Sequence, residues 1–440
     1  MKWKEYRKYK PSGIEWLGEI PTHWEVKRLK YLSSINDETL PENSDPDLEI
    51  SYVDIGSVDA VKGIVETEEL NFENAPSRAR RIVRAGDVIV STVRTYLRAI
   101  APIVDPKPGL IVSTGFAVVR PRAQFAGQFA AYALRAPYFV DRVVANSVGV
   151  SYPAINASDM ARLPLCTPEL SEQRTIATFL DRETGRIDAL IAKKERQIEL
   201  LQEKRTALIS HAVTKGLDPN VKMKDSGIEW LGEIPAHWEV PPLYARYNVQ
   251  LGKMLDTKRI TGEYLLPYLR NIDVQWNRVN VRELPEMDIH PEEYDRYTLR
   301  KGDLLVCEGG EIGRTAIWRD ELEICAFQKA IHRVRPRTDH DLPPFFFYVM
   351  CTAVGSGTFV AGGNPNTILH LTAEKLRIYR FAFPPLQEQY AIVAFLDRET
   401  GQIDGLIGKI HSSIEKLREY RTALISAAVT GKIDVSGEVL

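Results

Sequence analysis

The chain has 440 residues, 44% of them hydrophobic, and a formal net charge of −2. That length suggests about three domains. The near-neutral balance argues against a nonspecific nucleic-acid coat and leaves open a reader with a local basic patch.

No apolar run reaches the length of a membrane span. The basic start MKWKEYRKYKPSG has no apolar stretch behind it, so no signal peptide is expected. Cys166, Cys307, Cys325 and Cys351 have no CxxC spacing. They fit a reducing, cytoplasmic compartment, with neither a disulfide frame nor a zinc site.

The first recognisable block is Ser12–Val26, SGIEWLGEIPTHWEV, and it recurs at Ser226–Val240 with one change, Thr22 to Ala236. His23-Trp24 and His237-Trp238 inside it are read as packed structural corners rather than ligand pairs. A stretch of about 33–163 follows, read as mixed α/β. Strands are expected at Ile50–Ile55, within Gly86–Thr92 after a turn, and at Leu110–Val119, with a helix over Phe129–Val140. Asn156 is placed to cap a short helix at 157–162.

Next comes a proline-marked start, Pro168-Glu-Leu-Ser-Glu-Gln173, and a long helix over about 170–213. Leu180, Ile187, Lys194, Leu201 and Leu208 fill one seam position of a heptad register. Thr184, Ile191, Ile198, Arg205 and Ala212 fill the other. Such a stripe over about 44 residues predicts a coiled coil roughly 65 Å long. Gly185 is a place where the helix could bend.

The second half repeats the plan. Its insert, about 248–380, predicts strands at Tyr268–Ile272, within Gly302–Glu308 and at Ala330–Val334, and a helix at Pro344–Met350. Thr372 is placed to cap a helix at 373–378. Pro384–Gln389 precedes a second long helix. Its seams are Leu396, Ile403, Ile410, Leu417 and Leu424, then Thr400, Ile407, Ile414, Arg421 and Ala428, with Gly401 matching Gly185. FLDRETGRIDALI (Phe179–Ile191) returns as FLDRETGQIDGLI (Phe395–Ile407), and RTALIS at Arg205–Ser210 returns at Arg421–Ser426. The expected partition is 1–168, 169–216, 217–384 and 385–440: insert, helix, insert, helix. A repeat this long and present twice describes a duplicated half-molecule, with two similar frames carrying divergent inserts.

No phosphate loop, dinucleotide fingerprint, HExxH or metal-spaced Cys/His cluster is present. Leu342-Pro-Pro-Phe345 is similar to the Asn/Asp-Pro-Pro-Tyr/Phe loop of amino-methyltransferases. Leucine replaces the polar residue that would hold the target amine, so the chain is read as non-catalytic, with no metal of its own. The basic features are better placed. Arg78, Arg80, Arg81, Arg84, Arg94 and Arg98 fall within 21 residues, with Tyr96 among them. Guanidinium forks suit phosphates and guanine edges; the alternative is a solvated face balancing the acidic Glu66–Glu73 stretch. The loop Asn146–Tyr152, with Asn146, Ser151 and Tyr152, is a second candidate. In the other insert the candidates are Lys253, Lys258, Arg259, Arg270, Asn271, Arg314, Arg333, Arg335, Asn364, Asn366 and Thr367.

Taken together, the tandem SGIEWLGEIPxHWEV blocks, the PxLxEQ starts, the FLDRETGxIDxLI helices and the RTALIS repeats resemble the specificity subunit of a type I restriction–modification system. The resemblance covers almost the whole chain. It implies two α/β target-recognition domains joined by two long antiparallel helices. It also implies that each domain reads one half of a split double-stranded DNA target. Two modification subunits, using S-adenosylmethionine to methylate adenine, would dock on the pseudo-symmetric frame. Restriction subunits using ATP and Mg2+ could join. The specificity subunit itself would carry no cofactor and catalyse nothing. Arg205 and Arg421, at matched seam positions, are either buried and paired or turned to a partner, and the partner-facing reading is the one expected.

Overall fold

The computed structural model describes residues 3–255, 261–359 and 370–437. The chain divides into two units, Met1–Lys194 with His411–Leu440, and Glu195–Ile410. Each unit holds one insert, one SGIEWLGEIP block and part of both long helices. The expected partition kept each helix in a segment of its own. The structure shares each helix between units, because one helix's apolar stripe needs the other helix to cover it.

In the first unit, Val88–Ser91 lies inside an antiparallel sheet ordered Ile100–Pro102, Val88–Ser91, Phe116–Pro121, Ser33–Ile35. Val88 and Val90 face a core with Phe129 and Leu134, while Ile89 faces a second core with Val53 and Leu110. Side chains alternate across a strand, so a run buried on both faces must be apolar throughout. The second sheet is ordered Glu68–Asn71, Glu49–Val53, Leu110–Ser113, Ala79–Ile82, with a parallel central pair.

The second unit repeats this design. Its antiparallel sheet is ordered Tyr247–Leu251, Ile331–Pro336, Leu304–Cys307, Thr315–Ile317. Its other sheet, Glu286–Asp288, Leu265–Leu269, Ala326–Phe327, keeps a parallel pair.

Several expected elements are shorter or split. Leu110–Val119 is two strands, Leu110–Ser113 and Phe116–Pro121, because Thr114-Gly115 turns the chain from one sheet to the other. Phe129–Val140 is two helices, Gly127–Arg135 and Pro137–Ala145, because Pro137 forces Ala136 into an extended conformation. Ile50–Ile55 and Tyr268–Ile272 end early, at Val53 and Leu269, and each is followed by a 3-10 turn. Thr372 caps its helix by accepting from the Lys375 amide, whereas the Asn156 side chain does not cap Ala157–Met160. All four cysteines are free.

The long helices run unbroken over Leu170–Lys215 and Leu386–Val429. Gly185 and Gly401 are exposed and a side chain there would meet nothing within 4 Å. They weaken the helices without breaking them. In the first unit Ile176, Leu180 and Ile187 share a core with Leu424, Ile425 and Ala428. In the second, Ile209, Ala212 and Val213 share one with Ile392, Val393 and Leu396. The start of each helix thus packs antiparallel on the end of the other. Thr184, Ile198, Thr400, Ile403, Ile410 and Ile414 are buried, and Ile191, Lys194, Leu201, Leu208, Ile407 and Leu417 are half-buried. Both expected seams therefore lie on the packed face.

Arg205 and Arg421 do not reach outward to a partner, as the sequence suggested. Arg421 Nε donates to Asp188 at 2.9 Å, and Arg205 Nε to Asp404 at 3.1 Å. They are matched rungs that fix the register of the helix pair. Being partly solvated, each rung contributes about 1 kcal/mol or less. Arg421→Asp should therefore lower the urea midpoint modestly, and adding Asp188→Arg should recover part of the loss. A double-mutant cycle with no coupling would show that the rung does not set the register.

Candidate nucleic-acid interface

The frame that carries the candidate loops is built from the repeated blocks. Trp24 is fully buried, and its indole Nε1 donates to Glu172 at 3.1 Å; His23 Nε2 lies 2.9 Å from the same carboxylate. Trp238 and His237 meet Glu388 at 2.6 and 2.7 Å. The neighbouring glutamines are buried. Gln173 Oε1 accepts from the Ala126 amide, and its Nε2 donates to Pro168 and Gln124 carbonyls. Gln389 does the same with Leu342, Pro384 and His340. Each EQ pair therefore binds the SGIEWLGEIP block with the glutamate and the α/β domain with the glutamine. Tyr132 and Tyr348 add hydroxyl bonds of 2.6 Å to Asp181 and Asp397. Burial, then the bond to Asp181, pushes the Tyr132 hydroxyl up to about 12.

On this frame, the strand Val88–Ser91 delivers the chain into a turn, Thr95–Leu97, flanked by two arginines with left-handed backbones. Arg94 has φ 50° and ψ 46°, and Arg98 has φ 54° and ψ 32°. Such a conformation costs an L-residue roughly 1–2 kcal/mol. The turn is pinned to the Asn146–Tyr152 loop. Thr95 Oγ1 lies 2.8 Å from Ser147 Oγ, Ile155 donates to Thr92 O at 2.8 Å, and the Arg94 guanidinium lies 5.0 Å from the Tyr152 ring centre. Tyr96 and Tyr152 are 53% and 65% exposed, so two aromatic faces stand in solvent beside two guanidinium groups.

The structure thus brings Arg94, Tyr96, Arg98, Ser151 and Tyr152 together on one exposed surface. Arg78 borders it: its carbonyl accepts from Thr114, one residue from Gly115, whose carbonyl accepts from Thr92. Asn146 is adjacent, but its amide donates to Arg142 O and closes the preceding helix. Arg98 is partly engaged by Asp141 at 3.0 Å. Exposed Val148 and Val150 belong to the same surface and carried no polar signal in the sequence. Arg80 instead stacks on Phe72, Arg81 donates to Thr39, and Arg84 pairs with Glu38. The acidic stretch does not neutralise this cluster: the ion pairs found among these arginines, within the described residues, go to Glu38 and Asp141.

In the second unit most of the expected contacts are turned inward. Arg335 forks onto buried Asp303 at 2.6 and 2.7 Å. Arg120 does the same to Asp87 in the first unit at 3.0 and 2.9 Å. Each Gly-Asp turn buries a carboxylate that needs a cation, and the next sheet strand supplies it. Arg333 is 4% exposed and donates to Asp295 and Thr298 carbonyls; burial pushes its guanidinium down to about 10. Arg270 forks onto Asp273. Asn271 bonds Gly309, Ala330 and Arg314, which is itself half-buried. Lys253 pairs with Glu293. These six side chains all have partners within the domain in this conformation. Lys258, Arg259, Asn364, Asn366 and Thr367 lie outside the described residues. The loop matching the first unit's arginine turn is Glu308–Arg314, where Gly310, φ 73°, stands in the place of Arg94. Exposed Met254, Leu255 and Ile272 lie on segments beside it.

Two α/β domains on one duplicated helical frame define a class, and the comparisons agree. The family model described as the type I restriction modification DNA specificity domain matches residues 21–200 and 248–416, most of the chain. The chain belongs to that family. It is 25% identical over 439 residues to a chain named as the type I restriction enzyme MjaX specificity subunit of Methanocaldococcus jannaschii, covering 95% of this chain and 96% of the other. It is 22% identical to the EcoBI specificity subunit of Escherichia coli, over 68% and 64% of the two chains. The fold matches a chain from a structural study of assembly and conformational transition in the type I system, with a TM-score of 0.75 at 22% identity, over 94% and 99%. It also matches the HsdS subunit of Thermoanaerobacter tengcongensis, with a TM-score of 0.57 at 23% identity, over 94% and 98%. Among the described residues no helix is long and apolar enough to cross a membrane.

The inward assignment of Arg335 has a clear test. Arg335→Ala removes the counter-ion of Asp303, which is 1% exposed, so it should cost about 3 kcal/mol of unfolding free energy. Arg78→Ala, on the surface, should stay within about 0.5 kcal/mol. Equal effects in urea unfolding would contradict the distinction.

Proposed function

We propose that this chain is the sequence-reading subunit of a type I restriction–modification complex. Each α/β domain reads one half of a bipartite duplex DNA target. The paired helices set the gap between the halves, and the repeated blocks dock two modification subunits. Those subunits bring S-adenosylmethionine and methylate adenine; restriction subunits, where present, bring ATP and Mg2+. This chain supplies recognition and geometry and performs no chemistry, and the complex works in the prokaryotic cytoplasm.

The observation that carries the reading is the arginine turn at Arg94–Arg98. A glycine would adopt the Arg94 backbone at no steric cost, and the matching turn has one at Gly310. Strain held at an exposed side chain points to use of that side chain. Arg94 is held against Tyr152, so its fork is pre-oriented for the N7 and O6 edge of guanine. The frame explains the duplication: two identical partners need two equivalent surfaces, while an asymmetric target needs two different readers.

The test is methylation profiling of DNA from a methylation-free host expressing this chain with its modification subunit. A split motif with N6-methyladenine in both halves, seen only with both proteins, is expected. Arg94→Lys should relax one base of one half-site by about ten- to a hundredfold, as loss of a bidentate contact does, and leave the other half unchanged. Removing one heptad from both helices in register should shorten the gap by about three base pairs, from 1.5 Å per residue against 3.4 Å per base pair. A changed half-site after that deletion, or methylation by this chain alone, would defeat the reading.

A further inference from the structure

The two units differ beside the repeated blocks. In the first, the stretch Trp3–Lys8 lies against the start of the helix Leu170–Lys215. Trp3 packs edge-on against Phe179 with ring centres 5.0 Å apart, and its indole donates to the Tyr420 hydroxyl at 3.2 Å. Tyr6 packs against Trp24 and His23 at 6.0 and 5.7 Å, and its hydroxyl donates to Glu172 at 2.7 Å. Burial, then that bond, pushes the Tyr6 hydroxyl well above its ordinary value. The Asp434 amide donates to Lys4 O at 2.7 Å. Two aromatic rings three residues apart thus close the groove between the block and the helix.

The matched groove of the second unit has no such cover among the described residues. Lys222 takes the place of Lys8 there, since its carbonyl accepts from the Ala236 amide as that of Lys8 does from Thr22. The chain reaches Lys222 directly from the helix that ends at Lys215, and the six residues between them, GLDPNV, include no aromatic. Leu217-Asp218 in that link matches Ile433-Asp434 of the first unit. Leu217 is 42% exposed where Ile433 is 8%. The Glu388 side chain is 43% exposed where that of Glu172 is 19%. Phe395 is half-buried where Phe179 is buried. A cavity of about 140 Å3 remains, lined by Leu217, Asp218, Val221, His237, Glu388 and Ile392 among others. His237, Glu388 and Asp218 match the three groups, His23, Glu172 and Asp434, that surround Tyr6.

We propose that this second groove docks a segment of another protein chain that carries an aromatic residue and, three residues on, a tyrosine. The occupant does in trans what Trp3–Tyr6 does in cis. Its tyrosine enters the cavity and donates to Glu388, and its first ring covers Phe395 by the edge-on contact that Trp3 makes with Phe179. The covered groove shows the fit, and the apolar surface left open at Leu217 and Phe395 is what the occupant removes from water. The site does not rest on DNA reading.

The experiment titrates the full chain into a fluorescently labelled peptide of residues 3–10, WKEYRKYK, and reads anisotropy at constant ionic strength. Saturable binding of one peptide per chain is expected, since the first groove already holds its own segment. A scrambled peptide of the same composition and charge should not saturate over the same range. The Tyr6→Phe peptide should bind about tenfold more weakly, as loss of a hydrogen bond to a charged group implies. Ala391 also lines the cavity from the exposed side of its helix, so Ala391→Trp should fill the cavity and abolish binding. No saturable binding, equal binding of the scrambled peptide, or unchanged affinity in Ala391→Trp would overturn the proposal. Should Ala391→Trp not fold, the Tyr6→Phe peptide decides: unchanged affinity sinks the idea and tenfold loss upholds it.

Discussion

The structure depends on two dipeptides, Glu172-Gln173 and Glu388-Gln389, whose glutamines are buried. Gln173 and Gln389 are 1% and 0% exposed. A buried amide is tolerated only with its donors and acceptor paired. Here the pairing is spent on three separate stretches of backbone: the chain before the helix, the loop after the last sheet strand, and the start of the domain's own helices. The glutamates add an indole and an imidazole from the SGIEWLGEIP block. One helical turn therefore fixes where the long helix starts relative to both the repeated block and the recognition domain. Lys432 and Lys215 close the other end, their ammonium groups donating to carbonyls of the first and second blocks respectively. Each block is thereby held by the start of one helix and by the end of the other.

That arrangement separates what must match from what is free to differ. The bonds of the EQ pairs, the Tyr–Asp links and the Arg–Asp rungs occur twice with the same partners. The differences fall on surfaces and at a few packing sites. Arg94 faces Gly310 across the pseudo-symmetry, and Arg135 faces Cys351. Trp16 is covered by Tyr138 and Arg142, whereas Trp230 packs on Phe381. A frame with fixed anchor points tolerates such changes because loops and pocket linings bear little of the load.

The frame was legible in the sequence because its signals are periodic or repeated. Leu180, Ile187 and Ile198, and Ile403, Ile410 and Ile414, lie where a heptad register puts them, and exposed Gly185 and Gly401 cost helix propensity without touching the seam. Strand limits were less legible. Leu110–Val119 is apolar on both sides of its turn, so hydrophobicity alone could not divide it. The arginines were the hardest. Arg94 and Arg333 each sit among other basic residues in the sequence, yet one is a strained surface residue and the other is buried. The usable signal lay in the Gly-Asp turns: a carboxylate at the mouth of a buried strand requires a cation. The Arg-Pro endings of Phe116–Pro121 and Ile331–Pro336 supply it. Spacing within a cluster of arginines says nothing about which of them is already spent.

The spent arginines bear on how the chain meets DNA. Arg120, Arg205, Arg270, Arg333, Arg335 and Arg421 are all committed to internal partners, and the net charge is −2. Nonspecific affinity grows with the number of phosphates neutralised, the slope of log K against log salt being about −0.9 per phosphate. Cations already committed to internal partners add nothing to that slope in this conformation. The exposed groups it does present, a stacked arginine and two tyrosines on a pinned turn, suit base edges and faces better than a phosphate track. On the proposed function, specificity and charge neutralisation are tasks for different subunits. In that division a near-neutral reader has an advantage, because it is not held on DNA by contacts that ignore sequence.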